Sequence, residues 1–485
     1  MINRKLLEVI RCLSPEEEVR LQQFVSSPYM NNKFNKSKTL QLLDHLLTLK
    51  PQLDHPQLEK AWLNQHFFPE AEFKANGKNA IDSLASDLFD LTRRFIYWEE
   101  VNTREQKVNQ QLALARFYRN NNLEERYWAT IRQVRKKHHQ QIDKNDQYFL
   151  DAFFIEEEIA TFLSIFNEFQ DDANLINAHQ HIDHYYITTK LEMACLLKYQ
   201  QQQIPQLDVG DALHMSNVLI RELTKCPSLQ TPLNNIYIQI LELLEKPDDQ
   251  LLLAAFEEAC HTQRAHIPPS NYRTLMVFYR YFIGRKYQHE TQGNALIFRI
   301  FELYKAHLKE GYFHVQGKKI LTSSLKTIVN IALKAKAYAW ADELLKTYTP
   351  ERIMGTRFPA EFHGLCQAEV HFAMGTFEAA HDQLVYTSFE DTSYSIMADI
   401  LLIKIYYATQ HELLGSRVRA LEQKVRRSKL VAIRKESYLN FLKTMYKVMK
   451  YEPLSSSKQW RKLHDYVKST TPMVAREWLL REVFN

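Results

Sequence analysis

Apolar residues recur at spacings of three and four along almost the whole chain, which is the periodicity of amphipathic α-helices. The clearest single case spans residues 79–100, with apolar side chains at Ile81, Leu84, Leu88, Leu91 and Phe95. No segment bounded by turn residues alternates convincingly between apolar and polar positions, as strands do. The pattern therefore predicts an all-α protein.

Helix boundaries are marked most strongly near the start of the chain. Ser14 and Pro15 precede three glutamates, and a capping residue, a first-turn proline and first-turn acids together predict a helix start. This helix should end before Pro28, because proline cannot continue it. Further helices are predicted over residues 36–49, 57–67 and 79 to about 100.

From about residue 101 the pattern becomes helix, short turn, helix. The clearest hairpins pair 321–335 with 338–347, 361–374 with 377–386, and 393–409 with 412–427. Tyr338-x-x-Ala341 returns as Phe377-x-x-Ala380 after 39 residues, and Leu413-x-x-Ser416 follows after 36. Recurrence near one period is typical of stacked helical hairpins, so we expect an α-solenoid.

Residues 371–380, with the sequence HFAMGTFEAA, resemble the centre of a tetratricopeptide repeat. In that repeat a small residue and a glycine end the first helix, and an aromatic residue followed by alanine opens the second. The neighbouring hairpins depart from the motif, with Lys336-Ala337 and His411-Glu412 at the turn. The resemblance implies a tetratricopeptide-like architecture, but the repeat's peptide-binding residues cannot be carried over one by one.

The N-terminal segment is similar to the opening of an uncharacterised family of helical-repeat proteins from Bacteroidota. The residues that carry this likeness are Phe24, Ser27-Pro28-Tyr29, Asn31, Leu58-Glu59-Lys60, Phe67-Phe68-Pro69, Ser83 and Asp87-Leu88. We therefore divide the chain into an N-terminal helical domain (1–100), irregular helical hairpins (101–310), and tetratricopeptide-like repeats with basic C-terminal helices (311–485). Prolines between 205 and 232 also admit a break between two solenoid segments.

The amino-acid composition disfavours several classes of function. The 485 residues include 10 glycines, where average usage would give about 34. Phosphate-binding loops and βαβ folds depend on glycine, so nucleotide-dependent chemistry is disfavoured and no cofactor is expected. Five widely spaced cysteines, no signal-peptide pattern and no long apolar run favour a cytoplasmic location.

Three local patterns are weak indications of a phosphate-binding, metal or catalytic site. Gly311 to Lys319 has five residues between its glycines and a lysine in place of the P-loop hydroxyl, so an inter-helix turn is favoured. His181 and His184 share a helix face, but no third ligand is evident, and a solvated polar face is favoured over a metal site. For Glu156 to Glu158 a solvated face with one buried neighbour is favoured over a catalytic or di-iron role.

Charge is the most informative local feature. The net charge is +5, yet residues 417–468 carry fifteen Lys and Arg against four acids. Lys443, Lys447 and Lys450 share one helix face. A solvated surface remains the plainest interpretation, with an acidic protein and then nucleic acid as alternative partners. The candidate partner-binding residues are Arg417, Arg419, Lys424, Arg426, Arg427, Arg434, Lys435, Lys443, Lys447 and Lys450.

Two functions follow as hypotheses. The first is a non-catalytic scaffold or adaptor whose solenoid surface binds another protein, with no membrane partner and no catalytic residues. The second is a nucleic-acid-binding regulator, because residues 58–95 loosely resemble a helix-turn-helix, with Lys78 and Asn79 at the start of the longer helix. Asp82 and Asp87 would face phosphates unfavourably, and no wing follows.

Overall fold

A computed structural model describes residues 2–32, 35–50, 55–74, 77–102, 107–166, 173–204, 206–223, 225–289, 293–315, 318–451 and 458–484. The chain divides into two compact units. The first comprises Met1–Glu192 with Arg221–Leu229, and the second comprises Met193–Ile220 with Gln230–Asn485. The division at residues 100 and 310 stays a prediction.

The described residues are mainly helical, so the all-α prediction is confirmed. In chain order the first twelve helices are α1 (Arg4–Cys12), α2 (Pro15–Ser26), α3 (Lys36–Thr48), α4 (Lys60–Phe67), α5 (Ala80–Val101), α6 (Lys107–Asn120), α7 (Glu124–His139), α8 (Asp146–Phe166), α9 (Ala173–Gln203), α10 (Gly210–Leu223), α11 (Pro232–Glu245) and α12 (Gln250–Thr262). The others are α13 (Pro269–His289), α14 (Gly293–Lys309), α15 (Thr322–Lys334), α16 (Tyr338–Thr347), α17 (Pro359–Ala373), α18 (Phe377–Tyr386), α19 (Thr392–Ala408), α20 (Leu414–Arg427), α21 (Ala432–Tyr451), α22 (Lys458–Ser469) and α23 (Arg476–Trp478). Short 3₁₀ turns lie at Pro56–Leu58, Pro227–Leu229, Arg264–His266 and Pro350–Arg352, and a π turn spans Leu479–Val483. None of the described helices combines the length and hydropathy that crossing a bilayer requires.

Helices α1 to α5 enclose one apolar core in the first unit. Helix α2 begins where the sequence predicts. The Ser14 hydroxyl accepts a hydrogen bond from the Glu17 N–H, while the Glu17 carboxylate accepts one from the Ser14 N–H. This capping box satisfies two amides at the start of α2. The predicted apolar stripe of α5 is buried in this core.

Helices α6, α7 and α8 form a second apolar core in the first unit, and two acids of α8 are buried in the same three-helix unit. The Glu158 carboxylate, 4% exposed, accepts hydrogen bonds from Arg119 at 2.7 Å and Arg116 at 3.1 Å. Glu156 is also buried and pairs with Arg135 at 2.5 Å. The expectation of a solvated face with one buried neighbour is therefore wrong here, because Glu156 and Glu158 are both buried and arginines of the packed helices neutralise them, while Glu157 between them is exposed.

Successive helical hairpins form much of the second unit. The predicted pairs appear as α15–α16, α17–α18 and α19–α20, and α17 packs against both α15 and α19. The turn between α17 and α18 depends on Gly375, whose φ of +77° places it in the left-handed region that glycine adopts without a Cβ penalty. Helices α20, α21 and α22 follow, and each packs on the one before it.

A small sheet departs from the expectation of helices alone. Its strands are β1 (His314–Val315), β2 (Lys319–Leu321) and β3 (Ile353–Met354), with β1–β2 antiparallel and β2–β3 parallel. Runs of two or three residues are too short to produce a visible alternation in the sequence. The segment from Gly311 to Lys319 lies between α14 and α15 as expected, but His314–Val315 and Lys319 belong to paired strands rather than to a simple turn; Gly317 lies outside the described residues.

Candidate interaction groove

A groove of about 1630 Å³ runs along the second unit where the hairpins turn. The C-terminal ends of α15, α17 and α19 form one side, and the segment from Thr471 to Glu482 forms another. The walls mix apolar and polar groups. The side chains that line the groove include Lys334, Phe372, Ala373, Lys404, Tyr407 and Trp478.

Three charged side chains link the hairpins at this groove. Lys326 lies on α15, Glu369 on α17 and Lys404 on α19, and the Glu369 carboxylate accepts a hydrogen bond from the Lys326 ammonium. The side chains of Lys326 and Glu369 retain 20% and 22% exposure. We call these three residues the charge ladder. Among the described residues, the Glu369 carboxylate thus pairs with Lys326 alone, and Lys404 lies within range of its charge without an ion pair of its own.

Lys404 is the unbalanced member of the ladder. It lines the groove, forms no ion pair with a described residue, and holds its Nζ 5.7 Å from the centre of the Trp478 ring. Burial lowers the pKa of Lys404; the Glu369 carboxylate opposes this shift, while the charge of Lys326 adds to it. For Lys326 burial is the largest influence and acts to lower the pKa, but the Glu369 charge, the Cys366 thiol and the hydrogen bond to Glu369 together outweigh it and the pKa is raised.

The C-terminal segment holds its place by polar and aromatic contacts to the hairpins. Glu477 pairs with Lys334 at 3.1 Å, and the Trp478 ring meets Tyr407 edge to face at 5.6 Å. Leu479 and Val483 are buried in the core of α20 to α22. The segment is therefore a fixed wall of the groove.

Sequence reasoning missed the ladder. One signal was present: Lys404 interrupts the run ILLIKIYYA, in which every other residue is apolar or aromatic. A lysine in a helix that is apolar on all sides must either find a partner or face a cavity.

The predicted basic residues divide into two groups. Three of the ten engage acids: Arg417 and Lys424 both bind the buried Asp399, and Arg426 binds Glu422 at 2.6 Å. The two contacts with Asp399 fix α20 against α19, whereas the Arg426–Glu422 pair lies within α20. The seven others are exposed or half-buried and form no ion pair with a described residue: Arg419, Arg427, Arg434, Lys435, Lys443, Lys447 and Lys450. Lys443, Lys447 and Lys450 do share one exposed face of α21, as predicted.

The start of α5 is occupied by internal contacts. Asn79 is 7% exposed; its amide donates to the Lys74 and Gly77 carbonyls, and its N–H donates to Asp82. Asp82 also pairs with Lys60 at 2.7 Å. Because the buried Asn79 side chain is held by the backbone of Lys74 and Gly77, it is not available to read a nucleic-acid groove as the helix-turn-helix hypothesis requires.

The histidines of α9 face a neighbouring helix. His179 is exposed, whereas His184 stacks on Phe149 of α8 at 4.9 Å, with His181 6.2 Å from the same ring. Burial lowers the pKa of both His181 and His184, and both Nδ1 atoms are buried without a hydrogen-bond partner. The favoured solvated face is therefore wrong for these two residues. Within the described ranges no three His, Cys, Asp or Glu side chains are placed to hold a metal ion.

Comparisons with protein-family models, with curated proteins and with solved structures gave no match to this chain.

Proposed function

We propose that the chain is a non-catalytic interaction scaffold whose hairpins form an α-solenoid, and that the groove binds a segment of another protein. The consecutive hairpins α15–α16, α17–α18 and α19–α20, with α17 packed between α15 and α19, support the solenoid. The observation that carries the binding function is the uncompensated charge of Lys404 inside the groove.

The size of the groove favours a polypeptide over a small molecule. Its volume of about 1630 Å³ exceeds the range of roughly 300–1,000 Å³ that is usual for small-molecule sites. Phe372, Ala373 and Tyr407 offer apolar contact, and Trp478 adds an aromatic face beside a cation. Tryptophan and tyrosine are enriched in protein-binding hot spots.

The charge of Lys404 favours an acidic partner segment. A half-buried ammonium that lacks its own counterion is stabilised by an incoming carboxylate, and hydrogen bonds to charged groups contribute about 1.5–3 kcal/mol. The partner's acidic side chain would then complete the pairing that Glu369 provides for Lys326.

The test begins with the native host. The chain is purified with its bound proteins, the recovered partner is produced separately, and its affinity is measured by calorimetry for the unaltered chain and two variants. Lys404→Met removes the groove charge and keeps the length of the side chain. Lys309→Met removes an exposed lysine of the same unit that does not line the groove.

We expect Lys404→Met to weaken binding about 10- to 100-fold, since each 1.4 kcal/mol is a factor of ten. Lys309→Met should leave the affinity unchanged. Equal binding by both variants would show that the partner uses another surface, and turnover of a substrate by the purified chain would contradict a non-catalytic role.

A further inference from the structure

A second surface, distinct from the groove, lies on the last two long helices. Lys443, Lys447 and Lys450 are exposed on α21, and Lys458, Arg461, Lys462 and Lys468 are exposed on α22. We call these seven residues the terminal basic surface. Helices α21 and α22 pack together, and Lys447 Nζ lies 4.9 Å from the centre of the Tyr466 ring, so the two rows meet across this contact.

The terminal basic surface is nearly of one sign. None of its seven cations forms an ion pair with a described residue. Asp465 is the acid among them on α22, and Glu436 ends the α21 row two turns before Lys443. The positive charges therefore remain available to an anionic partner.

We propose that the terminal basic surface binds the phosphodiester backbone of a double-stranded nucleic acid, without reading its sequence. Protein interfaces are centred on apolar and aromatic residues and are depleted in lysine. Here six of the seven cations are lysines, and the described residues of α22, with α21 from Lys443 onward, expose no large apolar side chain. Interfaces with nucleic acid are instead polar and strongly positive.

The aromatic residues favour a duplex over a single strand. Single-strand binders present exposed rings on which bases stack. Here Lys447 lies over the Tyr466 ring and Lys450 Nζ is 5.5 Å from the centre of the Tyr451 ring. Both tyrosines are half-buried beneath lysines, so they position cations and leave no stacking platform.

The binding would be recognised by its salt dependence. The logarithm of the affinity falls with the logarithm of salt concentration with a slope of about −0.9 for each phosphate contact. About six contacts would therefore reduce the affinity on the order of a thousandfold between about 50 and 200 mM salt. The cations are spread over two helices, so they should act together.

The experiment uses the full chain and fluorescence anisotropy with labelled duplexes of about 20 base pairs, one of DNA and one of RNA with the same sequence. The test variant is Lys443→Gln/Lys447→Gln/Lys450→Gln. The matched control is Lys246→Gln/Lys309→Gln/Lys319→Gln, which removes the same charge from exposed lysines elsewhere in the second unit. Circular dichroism of each variant establishes that it is folded.

We expect both duplexes to bind at about 50 mM salt, and the test variant to bind at least about tenfold more weakly with a salt slope shallower by up to about 2.7. The control should lose much less. Binding to one duplex alone would assign the surface to that nucleic acid. The proposal is overturned by absence of duplex binding, by equal losses in the two variants, by tighter binding of a single strand, or by lysine-dependent binding to phosphatidylserine vesicles without duplex binding. Lys404→Met should not change duplex binding, so this result is independent of the groove.

Discussion

Replacing Lys404 by methionine should make the second unit more stable. The substitution removes an uncompensated ammonium from a half-buried site and keeps an unbranched side chain of similar length. Exchange of buried charges for well-packed apolar groups gains about 1–4 kcal/mol, and half-burial places the gain for Lys404 in the lower half of that range, at about 2 kcal/mol. The lost contact with Trp478 costs about 0.5–1 kcal/mol, so a net gain of about 1 kcal/mol is expected.

Substitution of the neighbouring acid, Glu369, should instead lower the stability of the second unit. Glu369→Gln leaves Lys326 and Lys404 without a carboxylate, and breaking a buried pair costs about 3–5 kcal/mol. Because the Lys326 and Glu369 side chains retain 20% and 22% exposure, a loss of about 2–3 kcal/mol is expected.

Hydrogen exchange, followed by mass spectrometry on peptides from α15 to α19, measures both effects where they arise. Exchange at pH 7 should slow about fivefold in Lys404→Met and accelerate in Glu369→Gln. The pKa of Lys404 is lowered in the folded chain, so the penalty for burying its charge is full below that lowered pKa and disappears as pH rises from there to the ordinary lysine value. Urea unfolding should therefore show the gain shrinking at alkaline pH. If Lys404→Met accelerates exchange as Glu369→Gln does, Lys404 is already compensated and the reasoning fails.

Other substitutions and conditions should have equally definite effects. No other described side chain lies near the position that a Cβ on Gly284 of α13 would occupy. Gly284→Ala should therefore raise the free energy of unfolding by up to about 1 kcal/mol, measured by urea unfolding. Gly375→Ala should destabilise by about 1 kcal/mol despite similar space, because φ is +77°; equal effects of the two would contradict the backbone argument. Asp399→Asn should cost about 2–3 kcal/mol, since Arg417 and Lys424 lose a buried carboxylate, and a loss below about 0.5 kcal/mol would mean that water replaces it. Burial lowers the pKa of four histidines of the first unit, so the unfolded state takes up protons first and thermal unfolding of this unit should occur at lower temperature as pH falls below about 6.5; a constant melting temperature from pH 7 to 5 would contradict this. These residues are His45, His138, His181 and His184.

Local signals in the sequence were sufficient to predict the positions of most helices. Pro15 and the Glu17 capping box fix the start of α2 within a few residues, and Gly375 marks the turn between α17 and α18. Such signals succeed because capping and left-handed turns are satisfied by neighbours along the chain.

Contacts between distant residues could not be predicted in the same way. The charge ladder joins residues from three hairpins, and nothing in the spacing of Lys326 and Glu369 indicates that they meet. Glu158 was misread for the same reason, because its partners Arg116 and Arg119 come from α6. The basic face of α21 was predictable because three exposed lysines at helical spacing need no partner elsewhere.

The charge ladder also bears on how this chain could change length during evolution. Arrays of helical hairpins ordinarily grow or shrink by duplication and loss of whole repeats. Here α15, α17 and α19 contribute a lysine, a glutamate and a lysine in that order, and the order is not periodic. Deleting the middle hairpin would set two ammonium groups side by side, and duplicating it would set two carboxylates together. The three hairpins are thus expected to be inherited as one indivisible block, while gains and losses fall elsewhere in the chain.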